Sequence, residues 1–325
     1  MEMKHSLKTI THEFLNQNLE MTLLLTGFKE KKDRNGKIYA DLMVQDRTMR
    51  TELKMWNYSE HQSFLNSLQL PAVVHCLISV GEYRNQIQLT VIKCERNKDE
   101  SIMPEELIRS SKWEPESMKS RLNEYVQEIQ SNHIRQLVKE MVFSEPWYDK
   151  FCTYPAAQKV HHNYLHGILQ HTLEVLHIAR TVAKMKKVSG RQMDRLLAMA
   201  FLHDWAKIIE YEPAPSDALS TEGRMLGHIF VGAHYTKKTI ERIEDFPEED
   251  ALIILNGILG HHGSMEWGSP VLPKTVEAQI LHQADKISGD VESIQEFVDS
   301  SGNTEDVFTE KLWNMGTDYY LGGAE

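Results

Sequence analysis

The stretch that decides the fold is AMAFLHDWAK, residues 198–207, in which a histidine and an aspartate follow a very apolar helical turn. Burying the Asp204 carboxylate there is costly unless it is paired or binds a cation. His203 and Asp204 can offer a nitrogen and an oxygen to one metal ion, and a carboxylate can bridge two ions. Lys207, one turn further on, is placed to meet a phosphate that such ions attract. An isolated His-Asp pair more often simply ends a helix at the surface.

Further histidines and an aspartate stand on both sides of this stretch in a distinctive order. GILQHT, residues 167–172, opens an amphipathic helix and contains His171. Downstream come GH at 227–228, GHHG at 260–263 and LHQAD at 281–285, which contribute His228, His261, His262 and Asp285. The chain holds 16 histidines in 325 residues, many of them at the ends of apolar helical runs. The ordered set, more than any single piece, indicates a metal site.

This series resembles the pattern of the HD-domain superfamily of metal-dependent phosphohydrolases. The likeness extends to the YhaM-type 3′–5′ exoribonucleases, in which an N-terminal OB-fold precedes a C-terminal HD domain. The stretches that carry it are AA at 156–157, HHNY at 161–164, HHGSMEWGSP at 261–270 and, nearer the N-terminus, VQD at 44–46 and LKMW at 53–56. The resemblance covers approximately residues 18–300.

The resemblance implies a two-metal site. The ligands of a first ion would be His171, His203, Asp204 and Asp285, and those of a second would be His228 and one or both of His261 and His262, with Asp204 bridging. Such a mixed set suits Mn²⁺, Fe²⁺, Co²⁺ or Zn²⁺ better than Mg²⁺, and we favour Mn²⁺. Two ions about 3.5–4 Å apart activate a water for attack on phosphorus. Asp204 and Lys207 are the expected catalytic residues, with Lys207 neutralising a phosphate oxygen.

Four further residues have two open interpretations each. His161 and His162 could contact substrate or play a structural role. His282, one turn before Asp285, could contact substrate or orient a ligand through a hydrogen bond. Glu266 could orient a ligand or a water, or simply be solvated.

The sequence departs from the family pattern at three places. Trp205 and Ala206 follow the His-Asp pair where small or aliphatic residues are usual, and Trp205 either narrows the pocket or packs behind the helix. His166 stands where a glycine is common. Ser288 and Gly289 replace an acidic and a small residue after the final aspartate. All the implied metal ligands are retained.

The front of the chain shows the period-two alternation of strands. In residues 38–45, apolar Ile38, Ala40, Leu42 and Val44 share one face, behind an Asn35-Gly36 turn signal. The predicted elements are strands at 22–29, 38–45, 50–56, 72–83 and 86–94, the last two hinged at Arg84-Asn85, and a helical patch at 64–70. This order is typical of a small Greek-key barrel of the OB type.

After a polar stretch with two prolines, the pattern becomes helical. Helices are predicted at 118–129, 134–142 behind a Ser131 cap, 168–187, 190–209, 229–243, 249–261 and 274–297. The expected architecture is multidomain: a small all-β OB-fold barrel at 1–96, a linker at 97–115 and an all-α HD domain at 116–325.

Charge is distributed unevenly between these parts. Residues 1–96 carry 13 Lys and Arg against 11 Asp and Glu, although the whole chain has a net charge of −11. This asymmetry favours two modules with different tasks, with chance as the alternative. OB-folds bind single strands with basic loops and aromatic faces. The expected nucleic-acid-binding residues are Lys31, Lys32, Arg34, Lys37, Tyr39 and Trp56, although the basic run could be a solvated hairpin tip and Trp56 a core residue.

Composition excludes several classes of protein. No run of about 18 apolar residues occurs, so we expect no transmembrane helix and no membrane partner. The polar first 20 residues argue against a cleaved signal peptide. Three widely spaced cysteines form neither a disulfide framework nor a metal knuckle, so a reducing cytoplasm is expected.

The function expected from these features is metal-dependent 3′–5′ hydrolysis of single-stranded RNA to nucleoside monophosphates, with single-stranded DNA as the second choice of substrate. Two alternatives stay open: an HD phosphohydrolase that acts on a free nucleotide or cyclic dinucleotide, and a nucleic-acid-binding module with little catalysis. Homo-oligomerisation also stays open.

Overall fold

In the computed structural model, which describes residues 6–83, 86–157, 162–213, 218–301 and 307–322, the front of the chain forms five strands. They are β1 (Asn18–Lys32), β2 (Ile38–Gln45), β3 (Arg50–Met55), β4 (Ala72–Tyr83) and β5 (Gln86–Arg96). They close into a barrel in the order β1-β2-β3-β5-β4, and only the β3–β5 pair is parallel. Helix α1 (Tyr58–Asn66) connects β3 to β4. The predicted OB-type barrel is confirmed.

β1 closes the barrel because it pairs along both of its edges. Its residues 18–25 pair with β4 and its residues 24–32 pair with β2. The register on β2 shifts between Leu25 and Gly27, and such a bulge bends a strand. Gly27 makes room at this point, since a Cβ there would lie 2.7 Å from Cε of Met43. Because it pairs with both neighbours, β1 extends over residues 18–32 and is longer than the predicted strand at 22–29.

The alternation of β2 produces the buried face that the sequence predicts. Ala40, Leu42 and Val44 are fully buried in the barrel core, whereas Ile38 at the start of the strand is 38% exposed. α1 spans 58–66, earlier than the predicted patch at 64–70, because Tyr58 is buried in the same core. The predicted hinge at residues 84–85 lies outside the described residues.

The rest of the described chain is mainly helical. Its helices are α2 (Pro115–Glu128), α3 (Asn132–Val142), α4 (Trp147–Thr153), α5 (Gly167–Met185), α6 (Arg191–Leu202), α7 (Lys207–Glu210), α8 (Thr221–Ile240), α9 (Glu248–Gly260) and α10 (Val276–Ser300). α4 was not predicted. The helix predicted at 190–209 is interrupted, because α6 ends at Leu202 and α7 begins only at Lys207.

The start of α3 differs from the prediction in its capping. Ser131 occupies the N-cap position, but its side chain makes no capping hydrogen bond. The carboxylate of Asp194, on α6, instead accepts the backbone N–H groups of Gln130 and Ser131 at 2.9 and 2.8 Å. A tertiary contact therefore holds the backbone that leads into α3.

The chain divides into two units that each have their own core. The barrel unit consists of Met1–Ser110, Val298–Glu310 and Tyr320–Glu325, and the helical unit of Ser111–Phe297 and Lys311–Tyr319. Within the predicted linker, a 3-10 turn at Pro104–Leu107 buries Leu107. The predicted boundaries after residues 96 and 115 stay a prediction. Among the described residues, no helix combines the length and the apolar character that crossing a membrane requires.

Candidate metal centre

The ends of several helices in the helical unit converge on one buried cluster of histidines and aspartates. α5 contributes His171, one turn after its start at Gly167. A side chain at Gly167 could not fit, since its Cβ would lie 2.1 Å from the carbonyl oxygen of His162. His166, just before the helix, has a φ of +67° and hydrogen-bonds through Nδ1 to Cys152 O at 2.6 Å. This left-handed backbone is where glycine would be the easier residue.

His203 and Asp204 lie in the turn between α6 and α7, and both are buried. Trp205, the next residue, is also fully buried, and its Nε1–H donates to Met141 O at 2.7 Å. Its ring packs against those of Trp147 and Tyr235 at centroid distances of 5.3 and 5.5 Å. Of the two alternatives for this residue, the structure therefore favours packing behind the helix.

A kink in α8 positions His228. Gly227 has a φ of +69° inside this helix, a conformation that residues with a side chain rarely adopt. Directly after the kink, the backbone N–H and the ring Nδ1 of His228 bond to the two carboxylate oxygens of Glu210, at 3.1 and 2.9 Å. α8 was predicted to begin at Ile229, and the kink explains why only its second half was recognised.

The end of α9 supplies His261 and His262. Gly263, with a φ of +75°, turns the chain directly afterwards, and a Cβ there would lie 2.2 Å from Cε1 of His282. His282 Nδ1 is 2.8 Å from His261 O, so His282 holds the backbone that carries the histidine pair. Of its two predicted roles, the orienting one has this contact in its favour, although the partner is a carbonyl rather than Asp285.

Four of the predicted ligands, His171, His203, Asp204 and Asp285, offer atoms that all lie within 4.8 Å of one another. His171 Nε2 is 3.4 Å from Asp204 Oδ2 and 3.2 Å from Asp285 Oδ1. The Nε2 atoms of His171 and His203 are only 3.2 Å apart. Its two imidazoles and two carboxylates could together hold a metal ion.

A second group is formed by His228, His261 and His262, whose ring nitrogens likewise lie within 4.8 Å of one another. It faces the other oxygen of Asp204, since Oδ1 lies 3.5 Å from His228 Nε2 and 3.6 Å from His261 Nε2. All three of these buried atoms lack a hydrogen-bond partner. An unsatisfied buried polar atom costs about 1–3 kcal/mol, so their convergence fits a cation better than it fits a purely structural contact.

The ring nitrogens of the histidines are oriented for metal binding. Their Nδ1 atoms meet oxygen acceptors: Ala200 O for His203 (3.0 Å), Glu210 Oε2 for His228 (2.9 Å), Ile258 O for His261 (2.7 Å) and Trp267 O for His262 (2.8 Å). Carbonyl and carboxylate oxygens only accept, so the proton resides on Nδ1 and the lone pair on Nε2. The Nε2 atoms are therefore free to act as ligands.

Burial and neighbouring charges set the protonation states of these groups. Burial lowers the pKa of His203, His261 and His262, so these imidazoles are neutral. Burial would raise the pKa of Asp204, but the Lys207 ammonium holds it well below its usual range. Burial would lower the pKa of His171, but the Asp204 and Asp285 carboxylates raise it to about 9. The position between these carboxylates therefore attracts positive charge.

Lys207 is the buried cation of the cluster. Its Nζ lies 2.6 Å from Asp204 Oδ2, and the side chain is only 9% exposed. Burial would lower the pKa of this ammonium, but Asp204 raises it above its ordinary value, so Lys207 is charged. Its predicted contact with a phosphate stays a prediction.

The remaining predicted residues of this region lie in different settings. His161 lies outside the described residues. His162 is buried, and its Nε2 is 3.2 Å from Glu174 Oε2. His162, Glu174 and Glu292 form a third group of close donor atoms. Glu266 is exposed in the turn at Met265–Trp267, and its predicted role stays a prediction.

In the barrel unit, two predicted aromatic residues meet. The rings of Tyr39 and Trp56 lie 4.7 Å apart, Trp56 is 39% exposed, and Lys54 Nζ lies 5.6 Å from the Tyr39 centroid. Lys31 is partly exposed but forms an ion pair with the buried Asp41, which also pairs with Lys54 at 2.5 Å. Trp56 is thus a surface residue, and Lys54 is a neighbouring cation that the sequence prediction missed.

The other three predicted basic residues of the barrel, Lys32, Arg34 and Lys37, are exposed at or beside the turn between β1 and β2. Asp33 shapes this turn by accepting the N–H groups of Asn35 and Lys37, both at 2.8 Å. The structure thus presents three cations to solvent at one end of the barrel.

Residues 168–290 match the family model of the HD domain. The helical unit contains an HD domain. The match begins on α5 before His171 and ends after Asp285, so it spans every one of the predicted metal ligands. The predicted all-α HD domain is confirmed.

Relatives named 3′-5′ exoribonuclease YhaM align with most of the chain. The one from Geobacillus sp. (strain WCH70) is 27% identical over 95% of this chain and 93% of its own length. The one from Listeria innocua serovar 6a is 27% identical over 83% of this chain and 85% of its own length. The one from Bacillus licheniformis is 28% identical over 86% of this chain and 87% of its own length. The predicted likeness to this family is confirmed.

Three polar residues beside the predicted ligands were given no role by the sequence analysis. Glu210 binds His228, Ser288 contacts His171, and Glu174 contacts Ser288. Two of them carried a sequence signal, since Glu174 lies three residues after His171 and Ser288 three residues after Asp285, each on the helix face of that ligand. Glu210 is brought to His228 by folding alone.

Proposed function

We propose that this protein is a metal-dependent 3′–5′ exoribonuclease that holds single-stranded RNA on the barrel unit and hydrolyses its 3′-terminal phosphodiester bond in the HD domain. The observation that carries the proposal is the pair of ligand groups that share Asp204, one oxygen facing each group. The relatives named exoribonuclease cover most of the chain, which favours RNA over a free nucleotide. Single-stranded DNA is the second-choice substrate.

The residues of the HD domain divide the chemistry among them. His171, His203, Asp204 and Asp285 would hold one ion, and His228, His261 and His262 with the other Asp204 oxygen would hold the second. Bound ions supply an activated water and stabilise charge on the phosphate oxygens. The mixed imidazole and carboxylate set favours Mn²⁺ over the all-oxygen preference of Mg²⁺.

Lys207 supplies a fixed positive charge next to the bridging carboxylate. Because it is buried and stays protonated, its ammonium can donate to a phosphate oxygen without first being reorganised. Such a contact would strengthen as negative charge develops during attack on phosphorus. The product of each cycle is a nucleoside monophosphate.

The barrel unit would bind the strand ahead of the cleaved bond, with residues 1–96 as the binding domain and residues 116–325 as the catalytic one. The exposed Trp56 against Tyr39 offers a face on which a base can stack. Lys31, Lys32, Arg34 and Lys37 supply charge for phosphates, with Lys31 partly committed to Asp41. A reducing, cytoplasmic location accords with the free, buried thiols of Cys76 and Cys94, whose Sγ atoms are 3.7 Å apart.

The test follows a 5′-labelled single-stranded RNA incubated with the full-length protein in Mn²⁺ or in EDTA. A ladder that shortens from the 3′ end, is lost in EDTA and is absent with Asp204→Asn would support the proposal. Asp149→Asn makes the same chemical change on an exposed carboxylate of α4 and should leave the ladder intact. Absence of shortening despite bound Mn²⁺, with turnover of a free or cyclic nucleotide instead, would overturn it.

A further inference from the structure

A chain of buried hydrogen bonds lies behind His171, on the side away from the other ligands. His171 Nδ1 is 3.0 Å from the hydroxyl oxygen of Ser288, and that hydroxyl is 2.7 Å from Glu174 Oε2. Ser288 lies one turn after Asp285 on α10 and is only 3% exposed. Glu174 lies one turn after His171 on α5. The three residues therefore link the two helices that carry ligands of the first group.

The direction of these hydrogen bonds follows from the chemistry of the groups. An ionised carboxylate can only accept, so the single hydrogen of the Ser288 hydroxyl points to Glu174. The Ser288 oxygen can then only accept from His171, which fixes the His171 proton on Nδ1. In the neutral imidazole that binds a metal, the lone pair is thereby placed on Nε2, the atom that faces Asp204 and Asp285.

Glu174 is itself held in place and ionised. Its Oε1 accepts from Gln170 Nε2 at 2.9 Å, and the Gln170 carbonyl oxygen accepts from Ser111 Oγ at 2.6 Å. Burial would raise the pKa of Glu174, but the hydrogen bond from His162 and its neighbours lowers it to about 2. The carboxylate is thus a rigid acceptor at the end of the chain.

The same carboxylate belongs to the third group of donor atoms, with His162 and Glu292. Both of its oxygens already accept hydrogen bonds from protein donors, and Glu292 Oε1 lies 2.9 Å from the Tyr164 hydroxyl. These bonds favour an orienting network over a third cation.

We propose that Ser288 and Glu174 are positioning residues that hold His171 in the tautomer and orientation required for metal binding. The inference rests on the proposed function in one respect, that His171 is a metal ligand. Replacing partners that orient a metal-bound histidine typically weakens metal affinity about 10–100-fold. The same loss is expected here for one of the two ions and not for the other.

The experiment measures Mn²⁺ binding to the EDTA-treated full-length protein by the loss of the free Mn²⁺ electron paramagnetic resonance signal. Ser288→Thr and Ser288→Val form a matched pair, since they have the same shape and differ only in the hydroxyl. Glu174→Gln places an amide nitrogen, which is itself a donor, against one of the two groups that donate to the carboxylate, Gln170 Nε2 and Ser288 Oγ. Ser293→Ala, a buried serine on the same helix outside the network, is the control.

The wild type, Ser288→Thr and Ser293→Ala should bind two ions alike. Ser288→Val and Glu174→Gln should bind one of the two ions about 10–100-fold more weakly. These two variants should lose exonuclease activity at low Mn²⁺ concentration and regain it at high Mn²⁺ concentration. Wild-type affinity for both ions in Ser288→Val and Glu174→Gln would overturn the inference while leaving the proposed function intact. A third ion, lost in Glu174→Gln and kept in Ser288→Val, would also overturn it. A wild type that binds no Mn²⁺ would refute the proposed function and the inference together.

Discussion

Removing the Asp204 carboxylate deprives Lys207 of its closest partner. The two groups lie 2.6 Å apart and are 3% and 9% exposed, and charge on Lys207 is maintained by Asp204. In Asp204→Ala the ammonium remains buried without its counter-ion. We therefore expect this variant to lose turnover and also to lose stability, even though its helical fold is retained.

The size of the stability loss follows from the burial of the pair. Breaking a buried ion pair by removing one partner costs about 3–5 kcal/mol, whereas replacing both partners with apolar groups is often neutral. A protein domain is typically stable by about 5–15 kcal/mol, so the variant should still fold. In Asp204→Ala/Lys207→Met, which removes both charges, most of the lost stability should return.

Urea unfolding in EDTA, followed by the helical circular dichroism signal, measures this effect without any contribution from bound metal. With a slope of about 1–3 kcal/mol per molar urea, the midpoint of Asp204→Ala should fall by at least about 1 M. Asp149→Asn, in the same unit but exposed, should leave the midpoint unchanged. Equal midpoints for wild type and Asp204→Ala, or a double variant less stable than the single one, would refute the reasoning.

Three further predictions concern other parts of the protein. Glu210→Gln should lower the affinity for one of the two Mn²⁺ ions about 10–100-fold in a binding titration, because His228 loses a charged acceptor. The exposed control Glu212→Gln should bind both ions as the wild type does. Equal affinities in Glu210→Gln and the wild type would contradict this prediction. Lys32→Glu/Arg34→Glu should reduce RNA affinity and flatten its dependence on salt, measured by fluorescence anisotropy, and an unchanged slope would place the binding face elsewhere. The pKa of Glu174 is lowered to about 2 from 4.5, so its stabilising contribution is full above pH 4.5 and is lost as the pH falls towards 2. As the pH falls over that range, Glu174→Gln should accordingly lose less stability than the wild type, as measured by thermal unfolding. Parallel plots of stability against pH for the two proteins would argue against a lowered pKa of Glu174.

The accuracy of the sequence-based prediction depended on whether a pattern was local. β2 at 38–45 and β4 at 72–83 were predicted with their observed bounds, because alternation and turn residues define them within a few positions. The first half of α8 was missed, because most of its residues are exposed and it therefore carries no apolar periodicity. Similarly, the backbone that leads into α3 is held by Asp194, some sixty residues away in the chain.

The predicted metal ligands show the same division. Their order along the chain indicated the HD domain, since a motif of spaced histidines and aspartates is readable from sequence. The use of one Asp204 oxygen for each ligand group is visible only in three dimensions. The position of Trp205 was likewise open, because an indole beside a buried aspartate can face either the pocket or the core, and its hydrogen bond to Met141 decides for the core.

By itself, the sequence determined the two architectures and the identity of the groups that converge on the HD domain. These depend on hydrophobic periodicity and on ordered polar motifs, both of which are written along the chain. The tertiary structure decided which oxygen faces which histidine and which nitrogen carries each proton. It also supplied the partners that hold His171 and His228, because Ser288 and Glu210 meet these histidines only when distant parts of the chain pack together.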